Sequence, residues 1–309
     1  MSRFILHTLG CGSAKPSLRH NPSSFVVDHR GTLYMIDCGE GAQLAFMRQH
    51  LKSGRLRHIF LTHLHGDHVL GLVPFLSTLS LGDAGGTITI HTFAEGKRMI
   101  EEMMHFFAPY LSYTLEFNVI SPDRGEVILD TGSLSVRTVP LRHRVPDVGF
   151  VFEEPAPLPH IVRDMCDFHG VPVCRFQAIK EGADFVKPDG TVVPHEVLTT
   201  PGGPGLSYAH ISDTLYMPEL AAEIGPVDLL YHETTYTEEH RGLARDRFHS
   251  TALQAATVAR DAGAGQLLTG HYSSRYKDDS IFVKEAAEIF PAALINYEGR
   301  VTPVGRNAL

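Results

Sequence analysis

Residues 62–68 read Thr-His-Leu-His-Gly-Asp-His and supply four potential metal ligands within six positions. In an extended backbone, side chains two positions apart point the same way, so His63 and His65 can converge on one ion. The glycine that follows permits a sharp turn, which would bring Asp67 and His68 toward a second ion. Ordinary polar residues at a strand end are the competing interpretation, but this density of imidazoles and carboxylates is typical of a metal site.

The remaining candidate ligands each follow a predicted strand. They are His143, Asp213, His232, Glu233 and His271. Sheet folds often carry functional groups at strand ends, because the scaffold fixes these positions while the loops shape a pocket. Taken alone, a histidine is more often an ordinary polar side chain, and Asp213 could be a simple cap. Their joint pattern with residues 62–68 predicts that they share one site.

Short β-branched and aromatic runs alternate with helical patterns along the chain, which predicts an α/β protein. The predicted strands cover residues 4–9, 24–28, 33–37, 58–62, 87–91, 134–139, 207–211, 227–231, 266–269 and 293–297. The predicted helices cover residues 42–51, 69–79, 94–107, 251–262 and 281–290. Turn signals at 28–31 and 121–125 predict two hairpins, so the sheets should be mixed.

Composition narrows the class of protein. The 309 residues are 43% hydrophobic and 20% charged, enough to bury the core of one large domain or of two fused halves. The net charge of −8 argues against a globally positive surface, so any contact with nucleic acid must use local basic clusters. No apolar run approaches the ~20 residues that a membrane span needs, which favours the cytoplasm. The four cysteines form no CxxC pair and are predicted to be buried reduced thiols.

Several segments of the chain resemble a known family. Residues 62–68 match the signature of the metallo-β-lactamase fold, and other segments resemble the ribonuclease Z family of tRNA 3′-processing endonucleases. Those other segments are 9–14, 36–43, 140–146, 212–214, 232–236, 248–251 and 270–276. The resemblance implies an αββα sandwich of two mixed β-sheets flanked by helices, a homodimer, and precursor tRNA as the substrate. It also implies a single domain over residues 1–309, with an inserted substrate-binding arm at about 153–196.

The resemblance also assigns two zinc ions per subunit to specific side chains. It gives one ion to His63, His65 and His143, and the other to Asp67, His68 and His271, with Asp213 bridging the two. Neutral imidazoles and carboxylates suit Zn²⁺, and Mn²⁺ or Fe²⁺ can take similar donors. In the family pattern Asp67 also orients or deprotonates the attacking water, while Asp37 supports the metal loop from behind. For Asp37, a turn residue before a glycine is the competing interpretation.

A general acid is expected, because the 3′ oxygen of a ribose leaves poorly unless a proton reaches it. His249 is the candidate for this acid; the family pattern pairs it with Glu233, whose charge would raise the pKa of the histidine. The competing interpretation makes residues 249 and 250 the start of a helix and nothing more. Both interpretations can hold, since Ser250 could cap the helix while His249 faces the site.

Basic residues surround the predicted ligands in the sequence. The substrate-binding candidates are Arg142, Arg144, Arg247, Ser274 and Arg275. Their arginine charges would lie where a phosphate backbone must pass. Within residues 153–196 acidic side chains outnumber basic ones, so the arm is expected to add little electrostatic affinity for tRNA.

These patterns together predict a zinc-dependent endoribonuclease that removes the 3′ trailer of precursor tRNA after the discriminator base and leaves a 3′-hydroxyl. One alternative is a binuclear-zinc hydrolase of the same fold that acts on small phosphodiesters or esters. A second alternative is an RNA-binding protein in which the metals are merely structural. The second is disfavoured, because structural zinc sites normally use four protein ligands, usually including cysteine, and no cysteine lies in the metal loops.

Overall fold

The computed structural model describes residues 4–82 and 85–305 of the chain. The chain divides into two compact units: residues 154–205 form the smaller one, and the chain on either side forms the larger. The smaller unit begins one residue after the predicted start of the arm, and it continues to residue 205 rather than 196. Its role as a substrate-binding arm stays a prediction. Within the described residues, no helix has the length and apolar character needed to cross a membrane.

The secondary-structure elements of the described residues follow in chain order. The strands are β1 (Phe4–Gly10), β2 (Ser24–His29), β3 (Thr32–Ile36), β4 (Leu56–Phe60), β5 (Thr87–Thr92), β6 (Thr114–Val119), β7 (Val127–Asp130), β8 (Ser135–Pro140), β9 (Val148–Glu153), β10 (His160–Ile161), β11 (Phe185–Val186), β12 (Val192–Val193), β13 (Thr199–Thr200), β14 (Ser207–Ile211), β15 (Leu229–Glu233), β16 (Gln266–Gly270), β17 (Ala293–Leu294) and β18 (Val301–Pro303). The α-helices are α1 (Ala42–Arg48), α2 (Gly66–Val69), α3 (Leu72–Leu81), α4 (Ala94–Phe107), α5 (Arg163–His169), α6 (Phe176–Lys180), α7 (His195–Leu198), α8 (Leu220–Ile224), α9 (Arg241–Arg247), α10 (Ala252–Ala262) and α11 (Ser280–Ala287). Short 3₁₀ helices cover Ser53–Arg55, Val173–Arg175 and Glu238–His240.

The larger unit contains two mixed seven-stranded sheets, which confirms the predicted α/β class. The first sheet has the order β18-β1-β2-β3-β4-β5-β6, in which β3 to β6 run parallel and the others pair antiparallel. The second has the order β17-β16-β15-β14-β9-β8-β7, in which β14 to β17 run parallel and the others pair antiparallel. The carboxyl ends of β4, β8, β14, β15 and β16 lead into the segments that carry the predicted ligands.

Three clusters of buried side chains place helices on the outer faces of both sheets. The inner cluster joins Phe25 and Phe60 of the first sheet to Phe150 and Phe152 of the second. One outer cluster packs the first sheet against α1, α3 and α4, and the other packs the second sheet against α8, α10 and α11. This layering is the predicted αββα sandwich. Because both faces of a sheet are covered, a strand such as β2 consists entirely of buried residues.

The smaller unit has a core of its own. Cys166 and Phe185 belong to its buried cluster, and two strand pairs, β10 with β13 and β11 with β12, accompany its helices. The four cysteines are all free thiols. Cys11, Cys38 and Cys166 are buried as predicted, but Cys174 is exposed, so the prediction is wrong for that residue.

One predicted hairpin is present and the other is not. Strands β2 and β3 pair antiparallel around Arg30 and Gly31, whose φ angles of 49° and 94° are those of a primed turn that suits the twist of the strands. The hairpin predicted at 121–125 is wrong, because β6 lies in the first sheet and β7 in the second. That segment therefore crosses between the sheets. Strands β6, β7, β9 and β18 of the two large sheets and β10 to β13 of the smaller unit were not predicted. Strands β6 and β7 lie at sheet edges, where partly exposed residues weaken the alternation that identifies a strand.

Candidate metal centre

The segment richest in ligands runs from the end of β4 into α2. Strand β4 ends at residue 60, two residues before its predicted end, so residues 61–65 form a loop. Helix α2 begins at Gly66, which does not have a positive φ. The chain therefore changes direction at this glycine by entering a helix, not through a left-handed glycine conformation. Asp67 and His68 project from that first helical turn.

The first ligand cluster combines side chains that follow strands of both sheets. The Nδ1 atom of His65 lies 3.1 Å from His63 Nε2 and 3.2 Å from His143 Nε2. Asp213 Oδ2 lies 3.9 Å from each of those two Nε2 atoms. All four ligand atoms lie within 4.8 Å of one another. They can therefore reach a single ion.

The second cluster lies beside the first and shares Asp213 with it. Asp67 Oδ2 lies 3.7 Å from His68 Nε2 and 3.5 Å from His271 Nε2. Asp213 Oδ1 lies 3.7 Å from His68 Nε2 and 3.2 Å from His271 Nε2. The two oxygens of Asp213 thus face different clusters, as a bridging ligand requires.

Three of the four ligand residues of the second cluster present a buried atom without a hydrogen-bond partner in the protein. His68 Nε2, His271 Nε2 and Asp213 Oδ1 are buried and make no hydrogen bond. Leaving one such atom unsatisfied costs about 1–3 kcal/mol, so three side by side indicate a missing partner. Imidazole nitrogen and carboxylate oxygen are the donors that zinc accepts. The donor set and the unsatisfied atoms therefore fit a pair of metal ions.

Acceptors behind the histidine rings fix which nitrogen faces the centre. His68 Nδ1 donates to Asp37 Oδ2 at 2.7 Å, and His143 Nδ1 donates to a backbone carbonyl, that of Phe248, at 2.9 Å. His271 Nδ1 donates to Thr235 Oγ1 at 2.9 Å. With the Nδ1 proton held in this way, each Nε2 lone pair points toward the cluster.

Asp37 combines both of the roles weighed from the sequence. Its φ of 54° makes it a turn residue, and its carboxylate also accepts hydrogen bonds from Thr62 N and Thr62 Oγ1, both at 2.9 Å. The same carboxylate holds His68. It therefore joins the end of β3 to the loop that carries His63 and His65.

Asp147 was not identified from the sequence, although it lies behind a predicted ligand. Its carboxylate is fully buried, and Oδ2 lies 3.1 Å from His63 Nδ1 without the alignment of a hydrogen bond. Burial raises the pKa of Asp147 well above its usual range, and the nearby charges of Asp213 and Asp37 raise it further. Its position directly after the 140–146 segment was the available signal, but sequence does not show that it faces His63.

Strained backbone is concentrated at this centre. Six described residues other than glycine have a positive φ. Four of them serve the centre: Ala14 at 65°, Asp37 at 54°, Phe248 at 61° and His271 at 59°. The backbone N–H of Ala14 donates to Asp67 Oδ2 at 2.7 Å. Such conformations cost about 1–3 kcal/mol each, and they persist where the surrounding structure enforces them for positioning.

Two glycines allow α2 to approach the turn that contains Asp37. A Cβ atom on Gly39 would lie 2.4 Å from the carbonyl oxygen of Asp67, and one on Gly71 would lie 2.1 Å from the carbonyl oxygen of Gly39. Neither contact is possible for a side chain. The ligand-bearing helix therefore packs directly on the backbone of the turn.

His249 lies beside Asp213 and is paired with Glu233, as the family pattern implied. His249 Nδ1 donates to Glu233 Oε1 at 3.0 Å. Burial by itself lowers the pKa of His249, but the charges of Glu233 and Asp213 outweigh it and raise the pKa to about 9. Ser250 does not cap the following helix, since Thr251 forms the capping box with Gln254 at the start of α10. His249 therefore precedes the cap and is free to face the centre.

Glu233 is a buried anchor for this arrangement. It accepts hydrogen bonds from the backbone N–H groups of Thr214, Ser250 and Thr235 at 3.1, 2.9 and 2.9 Å. Burial would raise the pKa of Glu233, but the charge and hydrogen bond of His249 lower it to about 2. Its neighbour His232 is in neither cluster, and its Nδ1 donates to the Glu233 carbonyl at 2.7 Å. The interpretation of His232 as a ligand is therefore wrong.

The predicted substrate-binding residues do not all lie at the centre. A metal cleft of about 190 Å³ opens over the two clusters, and Arg144, Arg247 and Ser274 line it. Arg142 lines a separate cavity of about 620 Å³, and Arg275 lines neither of these two spaces. Arg144 also donates to the carbonyl of Asp246 at 2.6 Å. Two arginines are thus positioned to meet a phosphate above the clusters.

Comparisons with known proteins bear on this geometry. A family model described as the metallo-beta-lactamase superfamily matches residues 19–215. The ribonuclease Z of Phocaeicola vulgatus is 46% identical over 298 residues, which cover 96% of each chain. The ribonuclease Z of Bacteroides thetaiotaomicron is 45% identical over 298 residues, covering 96% of this chain and 94% of that one. The crystal structure of the short form of human tRNase Z superposes with a TM-score of 0.71 at 22% identity, covering 97% of this chain and 99% of that one.

Proposed function

The chain belongs to the ribonuclease Z family of the metallo-beta-lactamase superfamily, and from this membership we propose that it removes the 3′ trailer from precursor tRNA. It is a metal-dependent endoribonuclease of that type. The bond it hydrolyses is the phosphodiester after the discriminator base, which leaves a 3′-hydroxyl on the tRNA. The observation that carries the proposal is the pair of adjacent ligand clusters that share Asp213, with His249 beside them.

The two clusters are proposed to hold two zinc ions per subunit, with Mn²⁺ or Fe²⁺ as possible substitutes. Superfamily membership implies metal ions, and the clusters of histidine and aspartate supply their donors. The first site uses His63, His65 and His143, the second uses Asp67, His68 and His271, and Asp213 bridges them. When bound, two such ions would neutralise a phosphate oxygen and lower the pKa of water to about 7.

Asp67 is proposed to orient the attacking water as well as to bind metal. The N–H of Ala14 holds its Oδ2 atom at 2.7 Å, and that carboxylate lies on the wall of the metal cleft. Burial would raise the pKa of Asp67, but the nearby imidazoles of His271 and His68 and the N–H of Ala14 lower it below its usual range. An ionised carboxylate in a fixed orientation can accept a hydrogen bond from the water and direct its lone pair to phosphorus.

His249 is proposed to give its proton to the leaving 3′ oxygen. Its Nδ1 atom is held by Glu233, so Nε2 is the nitrogen that remains for the substrate. A pKa raised to about 9 keeps the imidazole protonated at neutral pH, which a general acid needs. Glu233 acts through His249, by fixing the ring and supporting its charge.

Substrate recognition is proposed to begin with Arg144 and Arg247 in the metal cleft, where a phosphodiester would lie against the clusters. Arg142, Ser274 and Arg275 stay candidates for contacts farther along the RNA. The homodimer and the cytoplasmic location remain predictions. A small phosphodiester or ester as the natural substrate is the alternative, because the same clusters could hydrolyse it.

The experiment that tests the proposal is cleavage of a precursor tRNA that carries a 3′ trailer by the zinc-loaded protein, with the new end mapped to the nucleotide. We expect a cut after the discriminator base, and none with Asp67→Ala. Asp261→Ala is the matched control, since it removes a carboxylate from the exposed end of α10. If the protein hydrolyses a small nitrophenyl phosphodiester but leaves the precursor tRNA uncut, the small-substrate alternative is favoured instead.

A further inference from the structure

A second cavity lies next to the metal cleft, and the proposed chemistry has not yet used it. It has a volume of about 620 Å³, within the range of ligand pockets, and we call it the arginine cavity after Arg142, Arg241 and Arg245 on its wall. Leu215 and Tyr216 also line it. All of its lining residues belong to the larger unit.

His249 is the residue that the walls of the two spaces share. Arginines two positions apart in sequence line different spaces. Arg142 lines the arginine cavity, whereas Arg144 lines the metal cleft. In the same way Arg245 lines the cavity and Arg247 lines the cleft. The two spaces therefore adjoin at His249.

The wall of the arginine cavity suits a nucleotide better than a bare phosphate. Most of its surface is apolar, and Tyr216 on its wall is an aromatic residue of the type on which RNA bases stack. Arg142 pairs with Glu219 at 2.5 Å and Arg241 with Glu238 at 3.0 Å, but neither glutamate lines the cavity. Exposed ion pairs of this kind are weak, so these guanidinium groups can still bind a phosphate oxygen.

The chemistry of the proposed reaction fixes which nucleotide lies beside His249. Water forms a new bond to phosphorus, the bond from phosphorus to the 3′ oxygen breaks, and the leaving oxygen takes the proton of His249 Nε2. The phosphate stays on the 5′ end of the trailer, and the proton lost by the water passes to solvent. The attacking and leaving oxygens lie on opposite sides of phosphorus. The ribose that carries the leaving oxygen must therefore be on the His249 side.

We propose that the arginine cavity binds the last nucleotide of the mature tRNA, on the 5′ side of the cut, and that the trailer leaves along the part of the metal cleft lined by Ser273 and Ser274. This inference rests on the proposed function, because it uses the polarity of that reaction. In it, Tyr216 stacks on the base or ribose, while Arg241 and Arg245 bind the phosphate before that nucleotide.

The test compares the affinity of the metal-loaded protein for the two products. The upstream product is represented by an acceptor-stem RNA that ends at the discriminator with a 3′-hydroxyl, and the downstream product by a 5′-phosphorylated trailer oligonucleotide. Fluorescence anisotropy measures both for wild type, for the double variant Arg241→Gln/Arg245→Gln, and for Tyr216→Ala. Tyr216→Phe keeps the ring, and Arg260→Gln removes a charge from an exposed arginine of α10 that lines neither space.

We expect the double variant and Tyr216→Ala to bind the upstream product about tenfold more weakly, the loss typical of one stacked base or of a few phosphate contacts. The trailer should keep its affinity within about twofold. Tyr216→Phe and Arg260→Gln should match wild type for both products. Melting temperature and metal content establish that each variant is folded, and the exposed arginine pair remains informative if Tyr216→Ala is unstable.

Three outcomes would overturn the inference. If the variants lost affinity for the trailer alone, the cavity would bind the nucleotide on the 3′ side of the cut. Equal losses of affinity for both products would show that the cavity only supplies general positive charge. No loss of affinity for either product would show that the cavity has no role in binding. The proposed function is tested separately. If the wild-type protein cuts after the discriminator but the variants give one of these three results, only the placement of the nucleotide is refuted.

Discussion

Replacing Asp147 by asparagine should weaken metal binding while stabilising the metal-free protein at neutral pH. The two effects have opposite signs because the carboxylate has different neighbours in the two states. It lies 3.1 Å behind His63, so with metal bound it would support the ring of a ligand. Without metal, it is a fully buried acid close to Asp213 and Asp37.

The size of the first effect follows from the position of the carboxylate. Changes to groups that support a ligand from behind typically lower metal affinity about 10–100-fold, which corresponds to about 1.4–2.7 kcal/mol. Asp147 lies behind His63, which belongs to the first cluster. The loss of metal affinity should therefore affect the first cluster and spare the second. A zinc titration against a competing chelator should therefore show one weakened site out of two.

The size of the second effect depends on pH. Burial, reinforced by Asp213 and Asp37, raises the pKa of Asp147 well above the value of about 3.9 expected in the unfolded chain. The folded state then binds more protons than the unfolded state, so its stability falls as pH rises above about 4. An amide has no such titration. The melting temperature of metal-free Asp147→Asn should therefore exceed that of wild type by a margin that grows from about pH 4 to pH 7.

Asp261→Asn serves as the control, because it makes the same change at an exposed position on α10 and should alter neither quantity. Wild-type zinc affinity in Asp147→Asn would show that His63 needs no support from this carboxylate. A metal-free variant less stable than wild type at neutral pH would show that the buried acid makes favourable contacts that outweigh its desolvation.

Four further outcomes are expected. His249→Asn should slow cleavage of RNA by about 10²–10⁴-fold but affect a p-nitrophenyl phosphodiester far less, since that leaving group departs without a proton; equal losses on both substrates would contradict the general-acid role. Activity on RNA should fall above about pH 9, because His249 then loses its proton. Glu233→Gln should move this fall to lower pH, because it removes the charge that raises the pKa of His249. A pH–rate profile whose basic limb does not move in this variant would refute the pairing. Gly71→Ala should lower the free energy of unfolding by about 1–3 kcal/mol or more, because the new Cβ would lie 2.1 Å from the carbonyl oxygen of Gly39. Gly54→Ala is the control, since Gly54 has open space around it and the change should alter stability little. Denaturant unfolding measures both variants. Removing metal with a chelator should lower the melting temperature and restoring zinc should recover it, with a gain of about 2.7 kcal/mol at a free zinc concentration 100 times Kd; a melting temperature indifferent to zinc would contradict the metal site.

Much of the fold followed from local pattern, and the failures have local causes. Helix α4 has the bounds predicted for it, and β14 has the predicted ends, because their patterns are complete within one segment. The segment 121–125 looks like a hairpin turn in sequence but crosses between sheets. A turn signal shows only that the chain reverses or bends, and which strand the next segment pairs with depends on contacts far along the chain.

The sequence by itself determined the chemistry of the centre. The types and spacing of residues 62–68, with His143, Asp213 and His271 after later strands, predicted the candidate ligands, and the structure places these seven side chains in two adjacent clusters. Only the tertiary structure shows which groups support these candidate ligands and which cavity adjoins them. Asp147, the carbonyl of Phe248 and the arginine cavity depend on how distant strands, loops and helices pack against one another. Ligand identity can be read from side-chain chemistry within short segments, whereas orientation and neighbourhood arise from contacts between segments that are remote in sequence.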